Sequence, residues 1–406
     1  DMTQKQVPLR ATYMRGGTSK GVFFTLDDLP AAVRTDKNLR DQILLRVIGS
    51  PDPYGKQTDG MGGATSSTSK VALIAPSTKP GHDVDYWFGQ VAIDRPMIDW
   101  SGNCGNLSTA VGPFAIARGL VKAPANGEAV VRIWQANIRK TIVAHVPMQG
   151  GEVQELGDFE LDGVTFPAAE IRLEFMDPGA DGGGEGGAVP LNRGATGMFP
   201  TGQVLDVIEV PGMAPMDATL INAGNPTVFV DATALGLTGA ELQTDVNSHP
   251  ALLARCEAIR AHAAVLMGLC VSTSEATALR PHTPKLAFVA APQPFTTSSG
   301  RQVAAAEVDL LARILSMGVL HHAMTGTGAV AIAVACAIPG TVPARLLGAA
   351  VGSAIGANVR FGHPSGTLTV GAEAALRNGK WVVAKALMSR SARRLMTGEV
   401  WVPILE

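Results

Sequence analysis

Cys104 stands in the stretch DWSGNCGNLSTAVGPFAI (99–116), between two asparagines and two glycines and just ahead of an apolar run of small residues. A helix that starts after Asn103 or after Cys104 has leading N–H groups without intrahelical acceptors, and that end carries partial positive charge. A thiol in such a place loses its proton more readily, and a carboxylate docks there readily. Gly105 lets a ligand approach the backbone, and Asn103 and Asn106 add side-chain donors. The pattern suits a thiol acting as acid or base on an anionic substrate. The competing reading is a structural cysteine, since free Cys is among the most buried residue types. Cys256, Cys270 and Cys336 lie inside apolar patterns and read as core.

A thiol that moves protons needs a partner. Lys20 and Lys70 sit in matching TSK strings, and Lys70 follows the small polar loop DGMGGATSSTS. Burial at the edge of such a pocket lowers a lysine's pKa and fits it for proton transfer, whereas a solvated charge is the usual fate of a lysine. Other chemistries lack their signatures. The G-x-x-x-x-G-K-[ST] spacing of a phosphate loop is missing, GTGAVA does not complete a dinucleotide fingerprint, and no H-E-x-x-H, paired C-x-x-C or G-x-S-x-G occurs. His321 and His322 are adjacent, so they are expected to diverge from a regular element, which is poor metal geometry. The expected chemistry uses neither metal nor cofactor.

These residues must be positioned by a large fold. The chain has 406 residues, 46% hydrophobic and 17% charged with a net charge of −2, enough apolar material for an extensive core. That balance gives no basic excess for nucleic acid, and no run has the length of a membrane span. The opening DMTQKQVPLRATYM lacks the charged-then-apolar layout of a secretory signal, and four scattered cysteines do not make a disulfide framework. A cytoplasmic protein with reduced thiols is expected. Glycine is abundant, at 46 residues, and falls in short clusters between β-like runs, which favours strands joined by tight turns.

Strand patterns are read in ATYMRGGTSKGVFFTL (a hairpin), from Lys70 onward, in VDYWFGQVAI and in AVVRIWQANIRKTIVAHVPM, with a meander in 157–176. LRDQILLRVIGS and HPALLARCEAIRAHAAVLMG have helical spacing, as does AAEVDLLARILSMGVLHHAM (305–324). Later strands are read in VLDVIEVPG, DATLINAGNPTVFVDA, PKLAFVAAP, TLTVGAEAAL, KWVVAKALMS and EVWVP. The glycine-rich segment 177–197 is the boundary candidate. Two pieces recur in the same order on either side of it. GGTSKGVFF (16–24) resembles AGNPTVFV (223–230), and CGNLSTAVGPFAI (104–116) resembles TGTGAVAIAVACAI (325–338). Each second piece suits a helix of small residues threaded through a narrow barrel. Thr325 is the counterpart of Cys104, so a racemase-like pair of thiols is not available.

Six stretches, ATYMRGGTSKGVFF, GSPDPYGKQTDGMGGATSSTSK, DWSGNCGNLSTAVGPFAI, VRIWQANIRKTIVAHVP, GDFELDGVTFPAAE and RFGHPSGTL, closely resemble the PrpF family of 2-methylaconitate isomerases, over nearly the whole chain. The segment GGGEGGAVPLNRGATG (182–197) departs from the family pattern. The resemblance implies an α+β, diaminopimelate epimerase-like fold: two pseudo-repeated domains, each a β-barrel-like sheet around a central helix, with the site between them. The domains are expected at 1–197 and 198–394, with a C-terminal strand near 395–406 returning to the first. The family's catalytic lysine and cysteine match Lys70 and Cys104, and its loss of the second epimerase cysteine matches Thr325. Thr18, Ser19, Ser69, Asn103, Gly105, Asn106, Ser316, Thr325, Gly326 and Thr327 are the expected substrate-binding residues. The implied activity is cofactor-free movement of a double bond in 2-methylaconitate or aconitate, in the methylcitrate cycle of propionate breakdown. The alternatives are a 4-oxalomesaconate tautomerase and a non-catalytic tricarboxylate-binding pathway partner. A methylcitrate dehydratase is the expected functional partner, and a homodimer the expected assembly.

Overall fold

The computed structural model describes residues 5–179, 197–348 and 358–404. Most of the glycine-rich boundary segment, including the departure at 182–196, lies outside the described residues. The first lobe begins with the hairpin β1 (Lys5–Gly16) and β2 (Ser19–Thr25), followed by α1 (Lys37–Ile48), β3 (Lys70–Pro76), β4 (Val84–Val91) and the short β5 (Ile98–Asp99). Then come α2 (Gly105–Ala117), β6 (Gly127–Gln135), β7 (Lys140–Gln149), the short β8 (Glu152–Val153) and β9 (Ile171–Met176). The second lobe has β10 (Asp206–Ile208), β11 (Met216–Ala223), β12 (Asn225–Asp231), α3 (Gln243–Asn247), α4 (Pro250–Leu266), α5 (Thr273–Leu279) and β13 (Lys285–Ala290). A small ribbon, β14 (Phe295–Thr296) with β15 (Gln302–Val303), precedes β16 (Leu310–Ser316) and β17 (Val319–Leu320). The chain continues through α6 (Gly326–Cys336), α7 (Val342–Leu346), β18 (Val359–His363), β19 (Gly366–Arg377), β20 (Lys380–Arg390) and β21 (Ala392–Ile404).

Strand pairing repeats step for step. In the first lobe β1 pairs antiparallel with β2, β2 parallel with β3, β3 antiparallel with β4, β4 parallel with β6, and β6 antiparallel with β7. In the second, β11–β12, β12–β13, β13–β16, β16–β18 and β18–β19 follow the same senses. Each parallel pair is bridged by a helical crossover: α1 or α3–α5 outside the sheet, α2 or α6 inside it. The two lobes share strands, because β20 pairs with both β19 and β9, and β21 pairs with β1 along almost its full length.

The inner helices follow from composition. α2 (GNLSTAVGPFAIA) and α6 (GTGAVAIAVAC) are apolar or small on every side, so they have no face to offer water. All eleven residues of α6 are buried, as is α2 from Gly105 to Ala115. One continuous core joins both helices to the inward faces of both sheets. α1 and α4 cover the outer faces through two further cores.

Two stretches differ from expectation. Of the meander read in 157–176, only β9 (Ile171–Met176) is a strand, preceded by a single bridge between Phe159 and Ala168. The stretch 305–324, read as a helix, forms β16 and β17. β16 lies between β13 and β18 with all seven residues buried. A strand covered on both faces is apolar without alternation, and over a short run that pattern resembles a helix.

Candidate functional site

The N-termini of α2 and α6 meet head to head where the lobes join. A Cβ built on Gly105 would lie 2.5 Å from the carbonyl carbon of Gly326, and one on Gly326 would lie 2.3 Å from the amide nitrogen of Asn106. Only glycine permits this approach. Two positive helix ends are thereby concentrated at one place, with leading amides that lack intrahelical acceptors.

Cys104 is the N-cap of α2, and its Sγ accepts from the Leu107 amide at 3.3 Å. Lys70, the first residue of β3, brings its Nζ to 3.4 Å from that sulfur. Lys70 also donates to Gln90 Oε1 at 3.0 Å, and Gln90 is itself anchored through Nε2 to the carbonyls of Ser66 and Ser69. Gln90 is the cross-strand neighbour of Lys70 in the β3–β4 register. Ser19 Oγ lies 3.9 Å from the Cys104 sulfur. Cys104 and Lys70 are only 4% and 5% exposed, so lysine and thiol meet away from bulk water.

The second lobe builds the same frame from other side chains. Thr325 is the N-cap of α6, its Oγ1 accepting from the Gly328 amide at 3.0 Å. Lys285, first residue of β13, stands where Lys70 stands, and Ser316, beside it in β16, replaces Gln90. Lys285 Nζ donates to Ser316 Oγ at 2.9 Å and to His282 Nδ1 at 3.2 Å. His282 Nε2 in turn donates to the Asn103 carbonyl at 3.2 Å, which keeps the ring neutral with Nδ1 as acceptor. Burial, then the charges of Lys285 and Lys70, push His282 well below the ordinary histidine range. Burial and the charge of Lys70 lower Lys285 to about 7.

Polar side chains lock the two helix ends together. Asn106 Nδ2 donates to Thr18 Oγ1 at 3.1 Å and to the Met324 carbonyl at 3.1 Å. Asn225, after the β11–β12 turn, donates to the Asn103 carbonyl at 2.8 Å and to Thr327 Oγ1 at 3.1 Å, and accepts from the Asn103 amide at 2.8 Å. Among the expected residues, Thr18, Ser19, Asn103, Gly105, Asn106, Ser316, Thr325, Gly326 and Thr327 thus surround the junction with Lys70 and Cys104. Ser69 differs: its hydroxyl donates to Gln57 Oε1 and to the Thr65 carbonyl. Lys20 lies over the Tyr13 ring, 5.4 Å from its centroid, and the counterpart of Lys70 is Lys285. His321 and His322 do not diverge. Their rings stack with centroids 4.6 Å apart, because the chain turns sharply after β17. Burial holds both below the ordinary range. They line a groove of about 640 Å³ with Thr65, Ser66 and Ser67 of the first lobe. Cys256 and Cys336 are buried in apolar surroundings that raise their thiol pKa, as expected for core.

Lys285, His282, Asn225 and Gln90 were not singled out by the sequence. A signal for Lys285 exists, since TPKLAFVA (283–290) repeats TSKVALIA (68–75).

Two lobes of one large sheet, each wrapped on an inner helix and joined at the helix ends, define a protein of the diaminopimelate epimerase-like fold. Comparison with known proteins agrees. A hydroxyproline epimerase from Agrobacterium vitis shares the fold at 13% identity, with a TM-score of 0.54 over 98% of this chain and 93% of that one. The crystal structure of a methylitaconate-delta-isomerase matches with a TM-score of 0.73 and 37% identity, covering 98% and 96% of the two chains. The 2-methyl-aconitate isomerase of Shewanella oneidensis is 62% identical over 401 residues, 98% of each chain. The model of the PrpF protein family matches residues 5–403, and the chain belongs to that family. No helix among the described residues is long and apolar enough to cross a membrane.

Proposed function

We propose that this protein moves a double bond in an unsaturated tricarboxylate, with 2-methylaconitate as substrate, by proton transfer through Lys70 and Cys104. The observation that carries this reading is the 3.4 Å approach of Lys70 Nζ to Cys104 Sγ at the cap of α2, opposite the end of α6. The 62% identity to a 2-methyl-aconitate isomerase supports the same substrate.

One member of the pair takes a proton from the carbon between alkene and carboxylate. The C–H electron pair becomes part of an allylic dienolate, whose charge spreads into the conjugated carboxylate. Amides at the two helix ends stabilise that charge where it develops. A proton then adds to the far allylic carbon, so the double bond moves and the formula is unchanged. The bond freed in the intermediate rotates, which gives access to cis and trans products. Thr18, Ser19, Asn103, Asn106, Ser316 and Thr327 are the polar groups proposed to hold the carboxylates. A role in the methylcitrate cycle beside a methylcitrate dehydratase, a cytoplasmic location and a homodimeric assembly belong to this proposal.

The test is an NMR time course in deuterated water with 2-methylaconitate, trans-aconitate and 4-oxalomesaconate in parallel. Deuterium uptake with double-bond migration, fastest for 2-methylaconitate, is expected. Faster turnover of 4-oxalomesaconate would make the protein a tautomerase, and binding without exchange would make it a non-catalytic binder.

A further inference from the structure

Arg390 is the last residue of β20, on the inward face that also carries Ala386 and Met388. It is 2% exposed. A buried guanidinium ordinarily forms ion pairs or several hydrogen bonds, because burying an unpaired charge is costly. Among the described residues the Nε of Arg390 is a buried donor without an acceptor. The three other buried arginines each donate to several acceptors. Arg280 donates to the Thr283 and Leu269 carbonyls and to the Thr283 hydroxyl. Arg260 is held by Glu257 and three carbonyls, and Arg313 by the carbonyls of Glu241, Ala312 and Gly362, although one Nη of Arg313 is also an orphan.

The position of Arg390 says what its partner must be. The next residue, Ser391, accepts from the Gly17 amide at 2.8 Å through its carbonyl, and Arg15 clamps both its carbonyl and its hydroxyl. This fixes the end of β20 against the β1–β2 turn, whose Gly17 is packed on Asn106 at the head of α2. Burial lowers Arg390 to about 10 with Cys104 of the first lobe opposing it, and Arg390 helps to lower His363 of the second lobe after burial and Arg313. A cation with an unmatched donor is therefore held where the lobes and the helix ends converge.

We propose that Arg390 binds one carboxylate of the substrate. The inference rests on the tricarboxylate reading given above and adds to it a residue that comes from the strand shared by both lobes. A guanidinium matches a carboxylate with two parallel N–H···O bonds, so it fixes orientation as well as charge.

The experiment compares the full-length wild type with Arg390→Met and Arg390→Gln, using trans-aconitate as the probe in calorimetric titration, thermal melts and deuterium exchange. A charge-assisted bond lost from a buried site weakens binding by about 10- to 100-fold. Both variants are expected to show that loss, with KM rising more than kcat falls, while their melting temperature without ligand stays at or above the wild-type value. Wild-type affinity in either variant would overturn the proposal. Melting far below the wild type in both would also overturn it, by assigning the guanidinium to the fold. A wild type that neither binds nor exchanges trans-aconitate would remove the functional reading, and this proposal with it, whereas failure of the variants alone leaves that reading standing.

Discussion

The ends of α2 and α6 occupy matching places in matching lobes, yet they carry different groups. At α2 the cap is a thiol with a lysine at 3.4 Å. At α6 the cap is the hydroxyl of Thr325, and the matching Lys285 is engaged by Ser316 and His282. Both caps satisfy a backbone amide three residues on, so either residue can start a helix. The two groups differ in kind, because a thiol is a far stronger acid than an alcohol, and the proposed proton transfer uses that difference. The scaffold is symmetric and the chemistry is not. A racemase needs proton donors and acceptors on two faces. An allylic shift needs only one competent pair, with the second helix end left to bind charge.

The strongest way to break this comparison is to remove each lysine in turn. Lys70→Ala should lower turnover of 2-methylaconitate by about 1000-fold, the range of general acid–base catalysis, with Lys285→Met at least roughly tenfold less damaging. Steady-state kinetics decides it, and equal losses would mean that both lobes handle protons.

The joint between the helices is next. Gly326→Ala would force a methyl group to within 2.3 Å of a backbone nitrogen. The expected cost is on the order of 3 kcal/mol in denaturant unfolding, with activity lost as the helix ends part. A variant of wild-type stability would show that the joint is loose.

Exchanging the caps separates structure from chemistry. Cys104→Ser keeps an acceptor for the Leu107 amide, so melting should barely change while turnover falls roughly 100-fold. Thr325→Ala removes the cap of α6 and should cost about 1 kcal/mol of stability, with a much smaller effect on turnover. The reverse pattern would exchange the roles assigned to the two ends.

The smallest effect is a slope. Lys285 is lowered to about 7 from an ordinary 10.5, first by burial. Between those values the unfolded chain holds a proton that the folded chain has released. Folded stability therefore rises with pH across that window and is lost as pH falls toward 7, by at most about 1.4 kcal/mol per unit. Subtracting the unfolding free energies of Lys285→Met from those of the wild type between pH 6 and 10 should reveal this slope above 7. Parallel curves would mean that Lys285 stays charged in the folded protein.

The caps and hairpins were legible because they are local. The string SGNCGN before a run of small apolar residues is enough to place Cys104 at a helix start, and GGTSKG is enough for a turn. The recurrence of both strings pointed to paired lobes. What was hidden depends on register. Gln90 matters only because it faces Lys70 across a strand pair, and Asn225 because its turn reaches the opposite helix. β16 was mistaken for a helix because burial on both faces erased its alternation. Arg390 stands in the charged string SRSARR, and only the inward pleat of β20 buries it.

The Lys70–Cys104 pair is proposed to move the proton. The direct measurement follows deuterium uptake into 2-methylaconitate by the wild type, Lys70→Ala and Cys104→Ser under identical conditions. Rapid uptake with double-bond migration in the wild type, and near-complete loss in Lys70→Ala with a large reduction in Cys104→Ser, is predicted. Wild-type exchange rates in both variants would contradict the account and return Cys104 to the role of a buried helix cap.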